Sequence, residues 1–489
     1  MVFKMVDLKF NSFKWNTLIY SMFIIFFIAQ GSKAQNNSFN AGASIVDITP
    51  FLGHRVVGGY NSPIATYIHD PLQVRTLVLD DGIQKLFFVI VDNVSVGKEV
   101  FDAAKIILAK EYNIHRSHVL MAATHTHSAV SLRGVGNKLK EWRSGVDLDE
   151  YQTFVVKRIV DGVHLALKNC QLARIGIGSI DVPEHVFNRR WIMKDSVMSP
   201  LGQKEIVRMN PGHSADLLHP AGPVDPEVSF LAIESIEGKP IGLLANYSLH
   251  YVGGVPQGHI SADYFAAFAD RMMTLLEAEK QIPSFVGIMT NGTSGDINNN
   301  DYSKLPTRLP NYEKIKYVAD DVADKVFEEY QKLTFEDEVV LGSKIKEMSL
   351  KVRRADPQVL VNMAAVRSYN GDIPMFHRLE KVYMHRIFDM EAEYPDSVHI
   401  ELQAFSINDI GIAAIPFEVF AEIGLEIKSS SPYKDTFVIG LANGAFGYLP
   451  TPEQHRLGGY ETWQYVNKVE KTASDKIEKE ILNLFETMH

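Results

Sequence analysis

The sequence is nearly devoid of cysteine: Cys170 is the only one in 489 residues. A single thiol excludes an internal disulfide framework and a cysteine-rich metal site, so any metal must be held by histidine, carboxylate or tyrosine. An excess of basic charge is absent as well. The 49 lysines and arginines are outnumbered by 59 aspartates and glutamates, for a formal charge of -10, which offers no general attraction to phosphate backbones and sets nucleic acid aside as a partner. There is no internal repeat, low-complexity tail or clear linker, so one catalytic domain over residues 35–489 is the simplest division.

Long apolar runs are scarce too. Lys4, Lys9 and Lys14 precede an apolar stretch from Leu18 to Ala29, and Ser32 and Ala34 occupy small-residue cleavage positions. This is the layout of a signal peptide over residues 1–34, which predicts a periplasmic or secreted protein. The stretch falls short of the roughly 20 residues that cross a bilayer, so no stable membrane insertion is expected after cleavage. No cysteine follows it to carry a lipid anchor.

What is present is an ordinary globular composition, 46% hydrophobic and 22% charged, ample for a large core. Short apolar runs at residues 86–93, 118–128, 241–250, 285–296, 410–418 and 437–444 lack helical spacing and end abruptly in polar residues. They read as buried strands. Helical patterns lie between them, at 99–111, 149–168, 263–279, 313–333 and 468–488. The expected fold is α/β, a mixed β-sheet core flanked by helices. Ligands of such sheets collect beyond the carboxyl ends of the strands, where each of these runs carries its polar residues. Residues 190–223 and 298–312 read as long loops bordering that site.

The sharpest local signal is Thr124-His125-Thr126-His127-Ser128, directly after an apolar run. Side chains two apart on a strand share a face, so both imidazoles can enter one crevice. A hydrogen-bonded surface pair is an equally good reading of that spacing. His250 ends another run, and Glu418 closes the apolar IGIAAIPFE, where a buried carboxylate needs a cation or a salt bridge. Tyr448 and Tyr460 lie in a loop rich in glycine and proline.

The order of the motifs adds more than any one of them. SIVDITP (44–50), HDPLQVRTLVLDDG (69–82), ATHTHS (123–128), FNR (187–189), VDPEVSFLAIES (224–235), NYSLH (246–250), ISADYFAAF (260–268), GTSGDINNN (292–300), IPFE (415–418), GYLPT (447–451) and GGYET (458–462) follow one another along the chain. In this order they resemble the catalytic domain of the neutral, non-lysosomal ceramidases. The resemblance implies a catalytic Zn2+ held by His125, His250, Glu418 and Tyr448, with one position open for water. It places His127, Arg189 and Tyr460 at the other active-site positions, for proton transfer and oxyanion stabilisation. Asp263 and Asp296 are expected to orient the histidines.

Two departures bear on the substrate. Asn298 stands where the family has a catalytic serine, and an amide cannot replace an ionising hydroxyl. Ser294, four positions earlier, substitutes only if the loop is rearranged. The larger members also carry a C-terminal sandwich domain, whereas this sequence ends soon after GGYETW. The resemblance implies hydrolysis of a lipid N-acyl amide by a metal-activated water. The alternative is zinc-dependent breakdown of an acidic oligosaccharide, by elimination of water or by hydrolysis. Arg189 and Arg190 would grip its carboxylate or sulfate, and Trp191 and Trp463 would stack on its sugar rings. A binding protein that kept only the scaffold is the remaining reading.

Overall fold

In the computed structural model, residues 38–59, 61–133 and 147–489 are described, and the expected signal peptide lies outside them. Alternation along the strands explains the architecture. In Lys85–Val91, Phe87, Val89 and Val91 face one core while Leu86, Phe88 and Ile90 face another. Every side chain in that stretch but the first is buried, so both faces of the sheet must be covered.

One face is covered by helices. Lys98–Tyr112 and Glu150–Lys168 pack there through Phe101, Leu108, Val155, Ile159 and Val163, and Asp263–Leu275 with Glu313–Tyr330 cover the remainder. The other face is covered by a second sheet, whose Phe405, Ile407, Ile410, Ile412 and Phe437 close the core against Leu77, Phe88 and Ile90. Four helices, Pro357–Ser368, Glu380–Glu393, Ala421–Ser430 and Ala473–Glu486, pack beyond that second sheet. The layers run helix, sheet, sheet, helix, and residues Phe39–His489 form one compact unit. The expected α/β fold is present, with its strands divided between two sheets.

The first sheet has eight strands in the order Val286–Asn291, Pro240–Tyr247, Glu227–Ser235, Gln171–Asp181, Asn40–Asp47, Gln73–Asp80, Lys85–Val91, Val119–Ala123. Its middle is antiparallel, and the outermost pair at each edge is parallel. The second has four: Leu341–Lys351, Ser397–Ile407, Ile410–Ala414 and Asp435–Ile439, the last two parallel. The six runs that carry polar residues at their carboxyl ends are thus three parallel pairs, and the members of a parallel pair end on the same side.

A short segment draws the two edges of the large sheet together. Gly440 N donates to Asn291 O at one edge, while Ala123 N donates to Leu441 O and Asn443 N to Met121 O at the other. The residue after Val119–Ala123 and the residues after Pro240–Tyr247, far apart in strand order, therefore emerge into one crevice.

Candidate metal centre and active-site cavity

His125 and His250 meet in that crevice. His125 sits at φ 78°, a left-handed backbone that turns its ring inward, and its Nδ1 donates to Val94 O at 2.6 Å. His250 is fully buried and its Nδ1 donates to Ser294 O at 2.9 Å. The two Nε2 atoms stand 2.9 Å apart, and His127 Nε2 lies 3.2 Å from His125 Nε2. Glu418 Oε2 lies 3.3 Å from His125 Nε2 and 3.8 Å from His250 Nε2.

These donors fit a zinc ion. Ligands of tetrahedral zinc with bonds of 2.0–2.1 Å stand about 3.3 Å apart, close to the separations found here. Glu418 Oε2 is sealed from solvent and, beyond its approach to the two histidines, accepts no aligned hydrogen bond among the described residues, a position that a cation would satisfy. Burial, reinforced by the neighbouring His125, holds His250 and His127 well below the ordinary imidazole range, so both are neutral, as ligands must be. His125, His127 and His250 together form the one histidine group able to hold a metal among the described residues. The sequence separates His127 from the ligands as a proton carrier; the fold also brings its Nε2 into the donor cluster.

The flanking residues are positioned by backbone pairing. Glu418 and Tyr448 are register partners in a two-residue parallel ladder, and the Tyr448 hydroxyl lies within hydrogen-bonding reach of both Glu418 and Arg189. Burial pushes that phenol well above its ordinary range, with Glu418 adding to the effect. Arg189 donates Nε to Glu461 Oε1 at 2.8 Å and Nη2 to Gly295 O at 2.8 Å, which leaves Nη1 3.3 Å from His250 Nε2. His127 is stacked on Tyr251 with ring centroids 3.8 Å apart. Gly58 lies so close behind His127 that a Cβ would fall 2.6 Å from its Cα, at a φ of +122°.

Beside the histidines opens a cavity of about 540 Å³. His125, His127, Glu418, Tyr448 and Tyr460 line one side. The rest of its polar wall is Ser95, Ser131, Arg133, Arg386, Lys468, Tyr394 and Tyr465, none of which the motifs single out. Arg386 comes from the helix Glu380–Glu393, where its guanidinium lies over the rings of Tyr383 and Tyr465 at 5.1 and 4.8 Å. An arginine on an amphipathic helix carries no motif, so position in the fold alone reveals it.

Other expectations are corrected. Arg190 is fully buried, bonding Glu461 through Nη1 at 2.7 Å and Gln454 and Gly458 O through Nη2, which leaves it no access to a substrate. Trp463 turns its Nε1 to Glu205 at 2.9 Å, Trp191 is buried in the strand Arg190–Met198, and neither ring lines the cavity. Asn298 donates to Asn210 Oδ1 at 2.8 Å and to the Tyr302 hydroxyl at 3.0 Å, also outside the cavity. Ser294 Oγ donates to Asn291 Oδ1 and lies 3.3 Å from His250 Nδ1, on the side of the ring away from the donor cluster.

Asp263 and Asp296 do not touch the histidines, whose Nδ1 atoms are held by backbone carbonyls. Asp263 accepts from the backbone N–H groups of Val252, Gly253 and Tyr264 and so fixes the loop after His250. Asp296 accepts from Ala421 N and Asn188 Nδ2, joining the loops that carry Glu418 and Arg189. Burial raises these carboxyls to about 6 and about 7.

Known proteins share this arrangement of the chain. The solved neutral ceramidase from Pseudomonas aeruginosa has a similar fold, with a TM-score of 0.68 at 16% identity over 92% of this chain and 74% of that one. A ceramidase complexed with C2 gives 0.66 at 15% identity, over 91% of this chain and 74% of that one. At such identities the likeness concerns the fold alone. No curated protein matches the sequence. Residues 39–307, more than half of the chain, match the family model for neutral/alkaline non-lysosomal ceramidase, N-terminal. The chain belongs to the neutral/alkaline non-lysosomal ceramidase family.

Proposed function

We propose that this chain is an exported zinc-dependent enzyme whose substrate is an acidic oligosaccharide. The observation that carries the reading is the cavity wall: Arg133, Arg386 and Lys468 surround the space next to the donor cluster, interleaved with Tyr394, Tyr460 and Tyr465. Cations that converge on one cavity favour a carboxylate or sulfate, and tyrosines offer both a face for a sugar ring and a hydroxyl for its oxygens. The volume lies within the range of about 300–1,000 Å³ common for small-molecule sites.

His125, His250 and Glu418, with Tyr448 beside them, would hold the metal. When bound, zinc supplies Lewis acidity to a substrate or water oxygen. Arg386, Arg133 and Lys468 would fix the anionic groups of the substrate. The Tyr460 hydroxyl and Arg189 Nη1 would steady charge developing on oxygen, while His127 Nε2 would move the proton. In an elimination, His127 takes the proton from the carbon next to the carboxylate and passes it to the hydroxyl on the following carbon, which leaves as water as the double bond forms. In a hydrolysis, it takes the proton of the attacking water.

Hydrolysis of an N-acyl lipid is the second reading, and membership of the ceramidase family favours it. Against it, the family's serine is here Asn298, tied to Asn210 and Tyr302, and the apolar side chains on the cavity wall are few: Val57, Val94, Leu441, Ala445 and Val466 among the described residues. The test offers the protein uronate-containing oligosaccharides and, separately, an N-acyl sphingosine, each with and without a chelator. A chelator-sensitive product lighter by one water, or shortened by hydrolysis, supports the proposal. Fatty acid release with the oligosaccharides untouched would replace it with the second reading.

A further inference from the structure

A second polar cleft lies behind Trp463, separated from the active-site cavity by that ring and by Tyr460, which packs edge-on against it at 5.6 Å. Its volume is about 170 Å³. His455 lines it, and both of its ring nitrogens are sealed from solvent and without a hydrogen-bond partner among the described residues. An imidazole carries one donor and one acceptor, and a buried polar group left unpaired costs about 1–3 kcal/mol. Its neighbours sharpen the point. Burial lowers His455 to about 3, with Arg353, Lys471 and Arg190 adding positive charge.

The charge around this histidine is unbalanced. Arg353 spends Nη1 on Thr462 O at 2.6 Å and makes no side-chain hydrogen bond through Nε or Nη2 among the described residues. Lys471 has only a distant pairing, 3.8 Å, with Asp356, and Lys204 and Arg456 complete the basic side of the cleft. The acids are Asp356 at the mouth and Glu205, whose carboxylate is occupied by Trp463 Nε1 and Gly459 N. The cleft wall thus carries four basic residues against two acidic ones, with Arg456 paired to Glu453 outside it.

We propose that this cleft is a binding site for a small tetrahedral oxyanion, sulfate or phosphate, held by Arg353 and Lys471 beside the ring of His455. Such an ion offers several acceptor oxygens, matching the fork of a guanidinium and the ammonium group of a lysine. The site is independent of the metal centre and of the substrate assigned to it. Because Glu205 and Trp463 form its inner wall and Tyr460 stands on the other side of Trp463, occupancy would also firm the wall from which Tyr460 projects.

Inorganic sulfate is titrated into the full chain at constant ionic strength, with chloride as the balancing ion, and followed by calorimetry and by the unfolding temperature. The expected result is saturable binding at one site. Lys471→Met and Arg353→Met should each weaken it about tenfold, the loss of one charge-assisted hydrogen bond. Arg386→Met, in the active-site cavity, should leave it unchanged. Lys471 is half-exposed, so its variant tests the site even if Arg353→Met fails to fold. Sulfate binding that persists undiminished in Lys471→Met, disappears in Arg386→Met, or never saturates would overturn the assignment.

Discussion

The Nε2 atoms of His125 and His250 face each other at 2.9 Å while both Nδ1 atoms are committed to backbone carbonyls, Val94 O and Ser294 O. A carbonyl only accepts, so each Nδ1 carries the hydrogen, and the neutral His250 turns the lone pair of its Nε2 toward His125. A cation between the rings would take up that lone pair, and His125, His127 and His250 form a group that could hold a metal ion.

The first prediction follows from that geometry. The purified protein should contain about one zinc per chain by elemental analysis, and a chelator should lower its unfolding temperature. Binding at a free metal concentration of about 100 Kd stabilises a fold by about 2.7 kcal/mol. His250→Ala should reduce zinc affinity by more than the 10–100-fold that loss of an outer hydrogen-bond partner costs. Stoichiometric zinc in His250→Ala would contradict the site.

Gly58 gives a test that leaves the ligands intact. Its φ of +122° and the 2.6 Å approach to His127 leave no room for a methyl group. Gly58→Ala should displace His127 and its stacking on Tyr251, lowering kcat at least tenfold while zinc content holds. The Val56–Val57 ladder it follows is only two residues long, so the unfolding temperature should move little. Unchanged kcat would show that His127 does not act in the reaction.

Glu461 is the pivot between the arginines. It is fully buried and receives Arg189 Nε at 2.8 Å and Arg190 Nη1 at 2.7 Å. Removing one member of a buried charge cluster costs about 3–5 kcal/mol, because the partners keep their desolvation penalty and lose their counter-charge. Glu461→Gln should show that loss in denaturant unfolding, together with a fall in activity as Arg189 loses its orientation. A loss below about 1 kcal/mol would mean that the two guanidinium groups find other partners.

How much of this was legible in the sequence depended on the kind of signal. Strand ends were readable because His125, His250, Glu418 and Asn443 close apolar runs, and a run fixes where its end emerges. That the ends converge was not, since Gly440–Asn443 stitches together two edges that strand order holds apart. Arg190, Trp191 and Trp463 resembled a substrate grip because adjacent charge and aromatics in a loop are ambiguous between surface and interior. Glu461 and Glu205 decide the matter for Arg190 and Trp463, and neither acid is near its partner in sequence. Arg386, on a helix without a motif, had no signal to read.

Asn298→Ser restores the family's residue at that position and separates the two substrate readings. The amide donates to Asn210 and Tyr302 and accepts from Asn300 N, all outside the cavity. The shorter serine should lose part of this network, at about 1 kcal/mol per hydrogen bond, and should gain no release of fatty acid from an N-acyl sphingosine. A substantial gain would show that the loop rearranges to present this position to the substrate, and would return the chain to amide hydrolysis.

Stability should fall as pH rises from about 4.5 to about 7, in part through Glu205. Its carboxyl is raised from 4.5 to about 7 by burial, which outweighs the hydrogen bonds from Trp463 and Gly459 and the nearby charge of Arg190, with Glu461 adding to the rise. Between those two values the folded state holds a proton that the unfolded state has released, so deprotonation favours unfolding throughout the window and the penalty is complete above the folded value. A shift of this size corresponds to roughly 3 kcal/mol. Glu205→Gln keeps an oxygen for both Trp463 Nε1 and Gly459 N but cannot ionise. The variant should therefore show a shallower decline in unfolding free energy between pH 5 and pH 7, and it should be more stable than the parent at pH 8. Asp263 and Asp296, raised to about 6 and about 7 by burial, leave a residual slope of the same sign. An identical pH dependence in the variant would mean that Glu205 is ionised throughout, with the charge of Arg190 and the two donors prevailing over burial.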